Sequence, residues 1–264
     1  MKELWTTRQS RTQETRAPVT NAWQHLPGTY LSELLASSGA DVVTLDMQHG
    51  MIDINSAKDS ILAIEARGSV PFVRLPREDP ALIVQLLDAG AVGLICPTIE
   101  SVAQASAFVS ASYYPPVGRR SYGPNRAVMS MGSDYFSSAK HQVFTFAMIE
   151  TVAGLECVEE IAAIPALTGL FIGPGDLGIS MGLPPMQDRT EPEIVAAINR
   201  VATAADSAGK RTGIHASTPE YAADMANLGF DLVTIMSDAP VLSAAARSAV
   251  ASFHKQLKPI DTGQ

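Results

Sequence analysis

The chain has 264 residues, 46% of them hydrophobic, which is enough for one large core or two modest domains. Its formal net charge of -8 argues against a nucleic-acid binder or an anionic-membrane binder, because both need a basic face. Small anionic substrates remain open, since a local group of arginines can bind them within an acidic protein.

The chain begins with a polar lead, residues 1–16, that lacks the apolar core of a signal peptide. No uninterrupted apolar run in the sequence reaches the length of a membrane span. The two cysteines, Cys96 and Cys157, lie in apolar segments, which favours a reduced, cytoplasmic setting over a disulfide framework. With no Pro/Gly/Ser-rich linker to divide it, the sequence predicts one soluble domain over residues 1–264.

Apolar segments of strand length alternate with segments of helical periodicity. The predicted strands are residues 17–26 (a weak candidate), 40–45, 70–75, 92–96, 143–149, 170–172, 212–216 and 232–235. The predicted helices are residues 29–38, 54–67, 80–89, 101–110, 154–163, 192–208, 221–228 and a last helix from residue 240 onward. The strands are too uniformly apolar to be half exposed, which indicates a parallel sheet covered by helices. Eight such units predict a (β/α)8 TIM barrel, and no Gly-x-Gly-x-x-Gly follows the first strand to suggest a dinucleotide site.

A long connection, residues 113–142, interrupts the alternation before the fifth strand. It is too long for an ordinary barrel loop, and it carries Arg119, Arg120 and Arg126. We therefore expect a functional excursion here.

The stretch TGLFIGPGDLG, residues 168–178, runs from a buried strand into a turn of Gly173, Pro174 and Gly175 and then places Asp176 just beyond the strand. The glycines allow close approach of the backbone, its exposed N–H groups suit an anion, and the carboxylate suits a metal ion. A tight turn in which Asp176 only caps the next helix is the alternative.

Several polar residues follow the predicted strands and would share one mouth of a closed barrel. They are Asp46, His49, Arg74, Glu150, Asp176, His215, Ser237 and Asp238. Barrel enzymes keep their chemistry at this end, so the group predicts an active site.

Within that group, Glu150 and Asp176 follow adjacent strands and can reach one divalent ion. Two oxygen ligands leave coordination positions free for water and substrate, which suits Mg²⁺ or Mn²⁺, whereas the cysteines lack the spacing of a zinc site. Capping of the helices that follow is the alternative role for both acids.

Arg74 suits a substrate carboxylate or a developing enolate oxygen, with an ion pair to Glu78 or Asp79 as the alternative. His49 is the candidate for proton transfer, because histidine side chains titrate near neutral pH, with a plain loop histidine as the alternative. Asp88 sits in the last turn of its helix, where the macrodipole disfavours an anion, so we expect either a subunit contact or solvation.

Six ordered motifs carry a resemblance over most of the chain. They are LDMQHG with His49, VPFVRLP with Arg74, QLLDAGA with Asp88, YPPVGRR, MIET with Glu150, and FIGPGDLGISMG with Asp176. Together they resemble the HpcH/HpaI family of metal-dependent pyruvate aldolases, which cleave 4-hydroxy-2-oxo acids to pyruvate and an aldehyde.

The resemblance implies that Glu150 and Asp176 bind Mg²⁺ or Mn²⁺, with Co²⁺ as a further candidate, and that the backbone N–H groups of Gly175 and Asp176 hold the pyruvate carboxylate. It further implies that Arg74 stabilises the enolate and that His49 is the general base.

Asp88 matches an acid that raises the basicity of that base, and it would come from a neighbouring subunit. The family's usual assembly implies a homohexamer of dimers that exchange the last helix.

Three departures from the family pattern put the substrate and the reaction preference in question. Met148 stands where the family usually has a substrate-binding Gln, on the lumen side with Glu150, and Gln48 replaces the acid before the catalytic His. His215 replaces an apolar residue of the aldehyde pocket. The resemblance still implies small 2-oxo acids and aldehydes as partners, and the net charge argues against nucleic acid and a membrane.

Two alternative functions remain. One is an oxaloacetate decarboxylase or related 2-oxo-acid lyase, and the other is a non-catalytic 2-oxo-acid binding protein.

Overall fold

The computed structural model of the chain describes residues 17–257, so the predicted polar lead at residues 1–16 lies outside the described part. Eight parallel strands close into a barrel in which each strand pairs with its sequence neighbours and the eighth pairs with the first. The strands are β1 (Val19–Gln24), β2 (Val42–Asp46), β3 (Val70–Arg74), β4 (Gly93–Cys96), β5 (Phe144–Ile149), β6 (Gly169–Ile172), β7 (Arg211–Ile214) and β8 (Leu232–Ser237). The predicted (β/α)8 TIM barrel is confirmed.

Helices follow each strand and cover the outside of the barrel. They are α1 (Thr29–Ser37), α2 (Ile54–Ala66), α3 (Pro80–Asp88), α4 (Val102–Ser112), α5 (Asn125–Met131), α6 (Tyr135–Gln142), α7 (Val152–Glu156), α8 (Val158–Ala162), α9 (Pro174–Ser180), α10 (Pro192–Ser207), α11 (Pro219–Asn227) and α12 (Asp238–Gln256). The prediction of one helix over residues 154–163 is wrong, because Cys157, with φ -112° and ψ 24°, leaves the helical conformation and separates α7 from α8.

The core has two layers because side chains alternate across each strand. One set fills the barrel lumen, including Phe72, Phe146 and Phe171, and the other packs between the strands and the helices. Glycine admits the lumen rings: a Cβ atom on Gly93 would lie 2.4 Å from the ring of Phe72, and one on Gly213 would lie 2.4 Å from that of Phe171. The lumen is therefore a packed core rather than a pore.

The excursion of residues 113–142 contains α5 and α6, and its arginines point to the end of the barrel opposite the strand carboxyl ends. Arg120 pairs with Asp88 at the end of α3, and Arg126 pairs with Glu65 and donates to the Ala89 carbonyl at 2.8 Å. The excursion thus packs on the amino-terminal end of the barrel, away from the mouth.

The last helix, α12, has Asp238 as its one buried residue in the protomer and exposes Leu242, Val250 and Phe253 among others. An exposed apolar face of this kind is what exchange of the last helix between subunits would require, so that exchange stays a prediction. Over residues 17–257, no helix has both the length and the hydropathy that crossing a bilayer demands.

Candidate active site

The predicted mouth residues do follow the carboxyl ends of the strands. Asp46 ends β2 and Arg74 ends β3, and the two are Cα partners in the parallel ladder. Glu150 follows β5, His215 follows β7, and Asp176 lies in the first turn of α9 after β6. One end of the barrel therefore carries acids, an arginine and histidines together.

A buried ion pair joins Arg74 to Asp46. Arg74 Nε donates to Asp46 Oδ1 at 2.9 Å, and Arg74 Nη2 donates to Asp46 Oδ2. Glu78 and Asp79, the alternative partners proposed from the sequence, are wrong, because the guanidinium of Arg74 pairs with Asp46. Asp79 instead caps α3 by accepting from the backbone N–H groups of residues 81 and 82. Arg74 Nη1 forms no hydrogen bond with any part of the chain that the structure describes, so this donor is available to a ligand.

Asp46 accepts hydrogen bonds from several groups around Arg74 at the mouth. It accepts from Trp23 Nε1 at 3.1 Å and from the backbone of Gln48 and His49, while the Arg74 guanidinium lies 5.0 Å from the Trp23 ring centroid. Burial would raise the pKa of Asp46, but the hydrogen bonds and charge of Arg74 outweigh it and lower the pKa to about 2. Asp46 is therefore an anion that fixes Arg74 and the start of the loop carrying His49.

Glu150 is buried, at 3% exposure, with only one of its carboxylate oxygens bonded. Its Oε1 accepts from Thr98 N at 2.7 Å and from Thr98 Oγ1 at 3.1 Å, whereas Oε2 has no hydrogen-bond partner. Thr98 aims its N–H at the carboxylate from a left-handed conformation with φ 52°. Burial raises the pKa of Glu150, the charge of Asp176 raises it further, and the Thr98 bonds and Arg74 oppose both.

Neither acid caps a helix through its side chain, so the capping alternative is wrong. Thr151 caps α7 by accepting from Gly154 N, and the N-cap of α9, Gly173, has no side chain to do so. The exposed Asp176 carboxylate makes no hydrogen bond with a described residue. A buried orphan oxygen beside a second free carboxylate fits a divalent cation that prefers oxygen donors.

That cation would have two protein ligands rather than a cage. Within residues 17–257 there is no group of three or more His, Cys, Asp or Glu side chains arranged to hold a metal ion. The donor set therefore suits an ion such as Mg²⁺ that retains waters and shares its coordination with a substrate.

The turn between β6 and α9 is crowded by side chains that a Cβ atom would displace. A Cβ on Gly173 would lie 2.7 Å from both Glu150 Oε2 and Met148 Cε, and one on Gly175 would lie 3.2 Å from Gln187 Nε2. Met148 packs in the lumen cluster, on the side predicted from strand alternation. The turn is thus packed against the Glu150 carboxylate, the Met148 thioether and the Gln187 amide.

His49 lies exposed on the loop after β2, with its backbone N–H donating to Asp46 Oδ1 at 3.1 Å. His215 is half-buried, and its ring meets that of Trp23 edge-on with centroids 5.0 Å apart. Burial, and then the charges of Arg74 and His25, lower the pKa of His215 to about 4, so its ring is neutral at neutral pH. The base role of His49 remains a prediction.

Asp88 does not meet the other candidates within one protomer. It closes α3 at the opposite end of the barrel, where Arg120 Nη2 donates to its Oδ1 at 2.7 Å. Its side chain is 23% exposed, so the carboxylate is open to the outside of the protomer.

Three residues of the mouth were missed from the sequence. His25 follows β1 and contacts both Asp46 and Asp238, Trp23 holds Asp46, and Thr98 holds Glu150. The rule that found the others, a polar residue directly after a strand, would have found His25 had β1 been ended at Gln24. No sequence signal marks the left-handed Thr98.

A closed (β/α)8 barrel that gathers two carboxylates with unpartnered oxygens, a paired arginine and histidines at its mouth has the architecture of a barrel enzyme. A sequence profile described as HpcH/HpaI aldolase/citrate lyase matches residues 22–214. The chain belongs to the HpcH/HpaI aldolase/citrate lyase family, and is thus an enzyme of the aldolase and lyase class. The resemblance inferred from the motifs is confirmed.

Individual relatives agree with this assignment. The hydroxypyruvate/pyruvate aldolase of Rhizorhabdus wittichii (strain RW1) is 42% identical over 234 residues, covering 89% of this chain and 93% of that protein. The 5-keto-4-deoxy-D-glucarate aldolase of Enterobacter sp. (strain 638) is 31% identical over 235 residues, covering 88% and 91%. The crystal structure of an HpcH/HpaI aldolase/citrate lyase family protein from Burkholderia cenocepacia J2315 matches with a TM-score of 0.82 and 32% identity, over 90% of this chain and 95% of that one.

Proposed function

We propose that this chain is a divalent-metal-dependent aldolase, a class II aldehyde-lyase that reversibly cleaves a 4-hydroxy-2-oxo acid to pyruvate and an aldehyde. The observation that carries the proposal is the buried, unpartnered Oε2 of Glu150 beside the free carboxylate of Asp176. The relatives named as pyruvate aldolases support the substrate class.

Mg²⁺ or Mn²⁺, with Co²⁺ as a further candidate, would be held by Glu150 and Asp176 and would supply Lewis-acid polarisation of the 2-oxo group. The N–H groups of Gly175 and Asp176, at the start of α9, bind the substrate carboxylate. Arg74 Nη1, the donor that does not bond to Asp46, faces the oxygen that becomes negative in the enolate.

His49 accepts the proton of the 4-hydroxyl group as the C3–C4 bond breaks and the aldehyde leaves. The electron pair of that bond forms the enolate of pyruvate, which a proton at C3 converts to pyruvate. Asp88 of a neighbouring copy of the chain raises the basicity of His49, which requires a homo-oligomer, in our proposal a hexamer with α12 exchanged. Met148 and His215 shape the substrate cavity, and the setting is cytoplasmic.

A second candidate is an oxaloacetate decarboxylase, or another 2-oxo-acid lyase, on the same site. Met148 favours it, because an apolar side chain beside Glu150 removes a polar contact to a larger substrate, while decarboxylation needs no aldehyde cavity. The same acids, Arg74 and carboxylate-binding turn would serve both reactions.

The test follows the methyl signal of pyruvate by NMR in heavy water with Mn²⁺. We expect deuterium exchange that chelation abolishes and that Glu150→Gln and His49→Ala each reduce at least 100-fold. Glu100→Gln, the same change at an exposed acid near the mouth, is the matched control and should retain exchange.

Absence of exchange with any divalent metal would overturn both enzymatic functions and leave a 2-oxo-acid binding protein. Oxaloacetate, added in parallel, separates the two reactions, because rapid release of carbon dioxide without aldol addition identifies the decarboxylase.

A further inference from the structure

A histidine outside the acid and arginine set is held firmly at the mouth. The His25 backbone N–H donates to Asp238 Oδ1 at 2.8 Å, and its carbonyl accepts from Met51 N at 2.8 Å. The turn at Gly50 packs on it so closely that a Cβ there would lie 2.9 Å from the His25 carbonyl oxygen. His25 is therefore fixed from both sides rather than being a mobile loop residue.

The two ring nitrogens of His25 have different surroundings. Nδ1 lies 3.2 Å from Asp238 Oδ1 and donates to it, because a carboxylate only accepts. Nε2 lies 3.4 Å from Asp46 Oδ2 without a hydrogen bond to any described residue. The side chain is 26% exposed, so the ring borders the open mouth.

The order of the strands places His25 across the barrel from the two acids. In a closed ring of eight strands, β1 stands opposite β5, and β2 opposite β6. If Glu150 and the turn after β6 anchor the pyruvate part of the substrate, as the proposed function has it, the rest of the substrate extends toward β1 and its neighbours β2 and β8.

Polar side chains line the wall of the mouth on that side. Trp23 presents its indole edge to Asp46, His215 is a neutral ring beside it, and Asp46 is already bonded to Arg74. His25 Nε2 makes no hydrogen bond with a described residue, and its close polar neighbour is Asp46 Oδ2 at 3.4 Å, on a carboxylate that Arg74 and Trp23 already hold. A hydroxyl group can pair with Nε2 in either protonation state, because a hydroxyl both donates and accepts.

We infer that His25 is a specificity-determining residue that binds a hydroxyl group on the aldehyde portion of the substrate, so the enzyme takes hydroxylated rather than alkyl aldehydes. This inference rests on the proposed aldolase function. It assigns His25 no part in the breaking of the C3–C4 bond.

The test measures aldol addition of pyruvate to glycolaldehyde and to propanal, which differ by a hydroxyl against a methyl group. His25→Asn keeps a donor near the Nδ1 position and loses Nε2, whereas His25→Gln restores a polar atom near Nε2. We expect the wild-type ratio of kcat/KM for glycolaldehyde over propanal to fall about tenfold in His25→Asn, and to lie within about threefold of wild type in His25→Gln.

A ratio that is unchanged in His25→Asn would overturn the inference. If, in addition, kcat/KM for both aldehydes and the rate of deuterium exchange into pyruvate fall to the same extent, the role of His25 is structural. If the wild-type protein exchanges no deuterium into pyruvate, the proposed function itself has failed. Exchange with an unchanged aldehyde ratio refutes His25 alone.

Discussion

Two arginine–aspartate pairs stand at opposite ends of this barrel, and they expose opposite partners. At the mouth, Asp46 is fully buried and saturated by bonds, while Arg74 keeps Nη1 free. At the other end, Arg120 is fully buried, with Tyr114 4.5 Å from its guanidinium and a 2.9 Å bond to Tyr135, while Asp88 is the partner that reaches solvent.

This contrast shows how the same ion pair can present either charge. The mouth offers a cation beside acids with unpartnered oxygens, which suits an anionic substrate and a metal ion together. The opposite end offers a carboxylate outward from an aromatic setting, which suits contact with another copy of the chain. Asp88 can therefore serve a site only across a subunit boundary.

Breaking the mouth pair should have the largest effect. Asp46→Asn leaves the buried Arg74 without its counter-charge, and we expect a loss of about 3–5 kcal/mol in the free energy of unfolding. Deuterium exchange into pyruvate should fall at least 100-fold. Urea unfolding followed by circular dichroism measures the first, and a cost under about 1 kcal/mol would contradict the account.

Breaking the other pair should cost less. Arg120→Met removes a buried cation and leaves Asp88, which water can solvate, so we expect a loss of about 1–2 kcal/mol. The same urea experiment ranks the two variants. If Arg120→Met proves more destabilising than Asp46→Asn, the contrast between the two ends is wrong.

Acid should weaken the mouth pair in a defined window. The folded pKa of Asp46, about 2, lies below the value of about 3.9 for an unfolded aspartate, so its stabilisation is present above about pH 4 and is lost as pH falls toward 2. We expect about 2 kcal/mol of the wild-type free energy of unfolding to vanish across this window. The free energy of unfolding of Asp46→Asn should lack this pH-dependent loss. Parallel pH profiles of the free energy of unfolding for the two proteins would refute the assignment of the loss to Asp46.

Glu150 should behave in the opposite way to Asp46. Because burial raises its pKa, the charged form opposes folding, so Glu150→Gln should stabilise the metal-free protein by about 1 kcal/mol, or raise its Tm by about 2–4 °C. Differential scanning calorimetry in chelator measures this. A lower Tm than wild type would show that Glu150 is structural.

The fold and most of the mouth could be predicted because both depend on simple periodicities. Uniformly apolar strands alternating with helices indicate the barrel, and polar residues after strands then share one end. The partner of Arg74 could not be predicted from local sequence, because Asp46 becomes its neighbour only through the register of β2 and β3.

Other features depended on backbone detail. His25 was missed because the predicted first strand, residues 17–26, ran past the true end of β1 at Gln24. Thr98 reaches Glu150 through a left-handed backbone that a threonine rarely adopts. The length of the excursion marks it as unusual in the sequence, but its place at the amino-terminal end of the barrel follows from the packing of α5 against α3.

In the function we propose, Glu150 and Asp176 together hold a divalent ion. Isothermal titration of Mn²⁺ into the metal-free protein at neutral pH tests it without any substrate. We predict one site per chain, weakened at least 100-fold by Glu150→Gln and by Asp176→Asn and unaffected by Glu100→Gln. Wild-type affinity in Glu150→Gln would contradict the account.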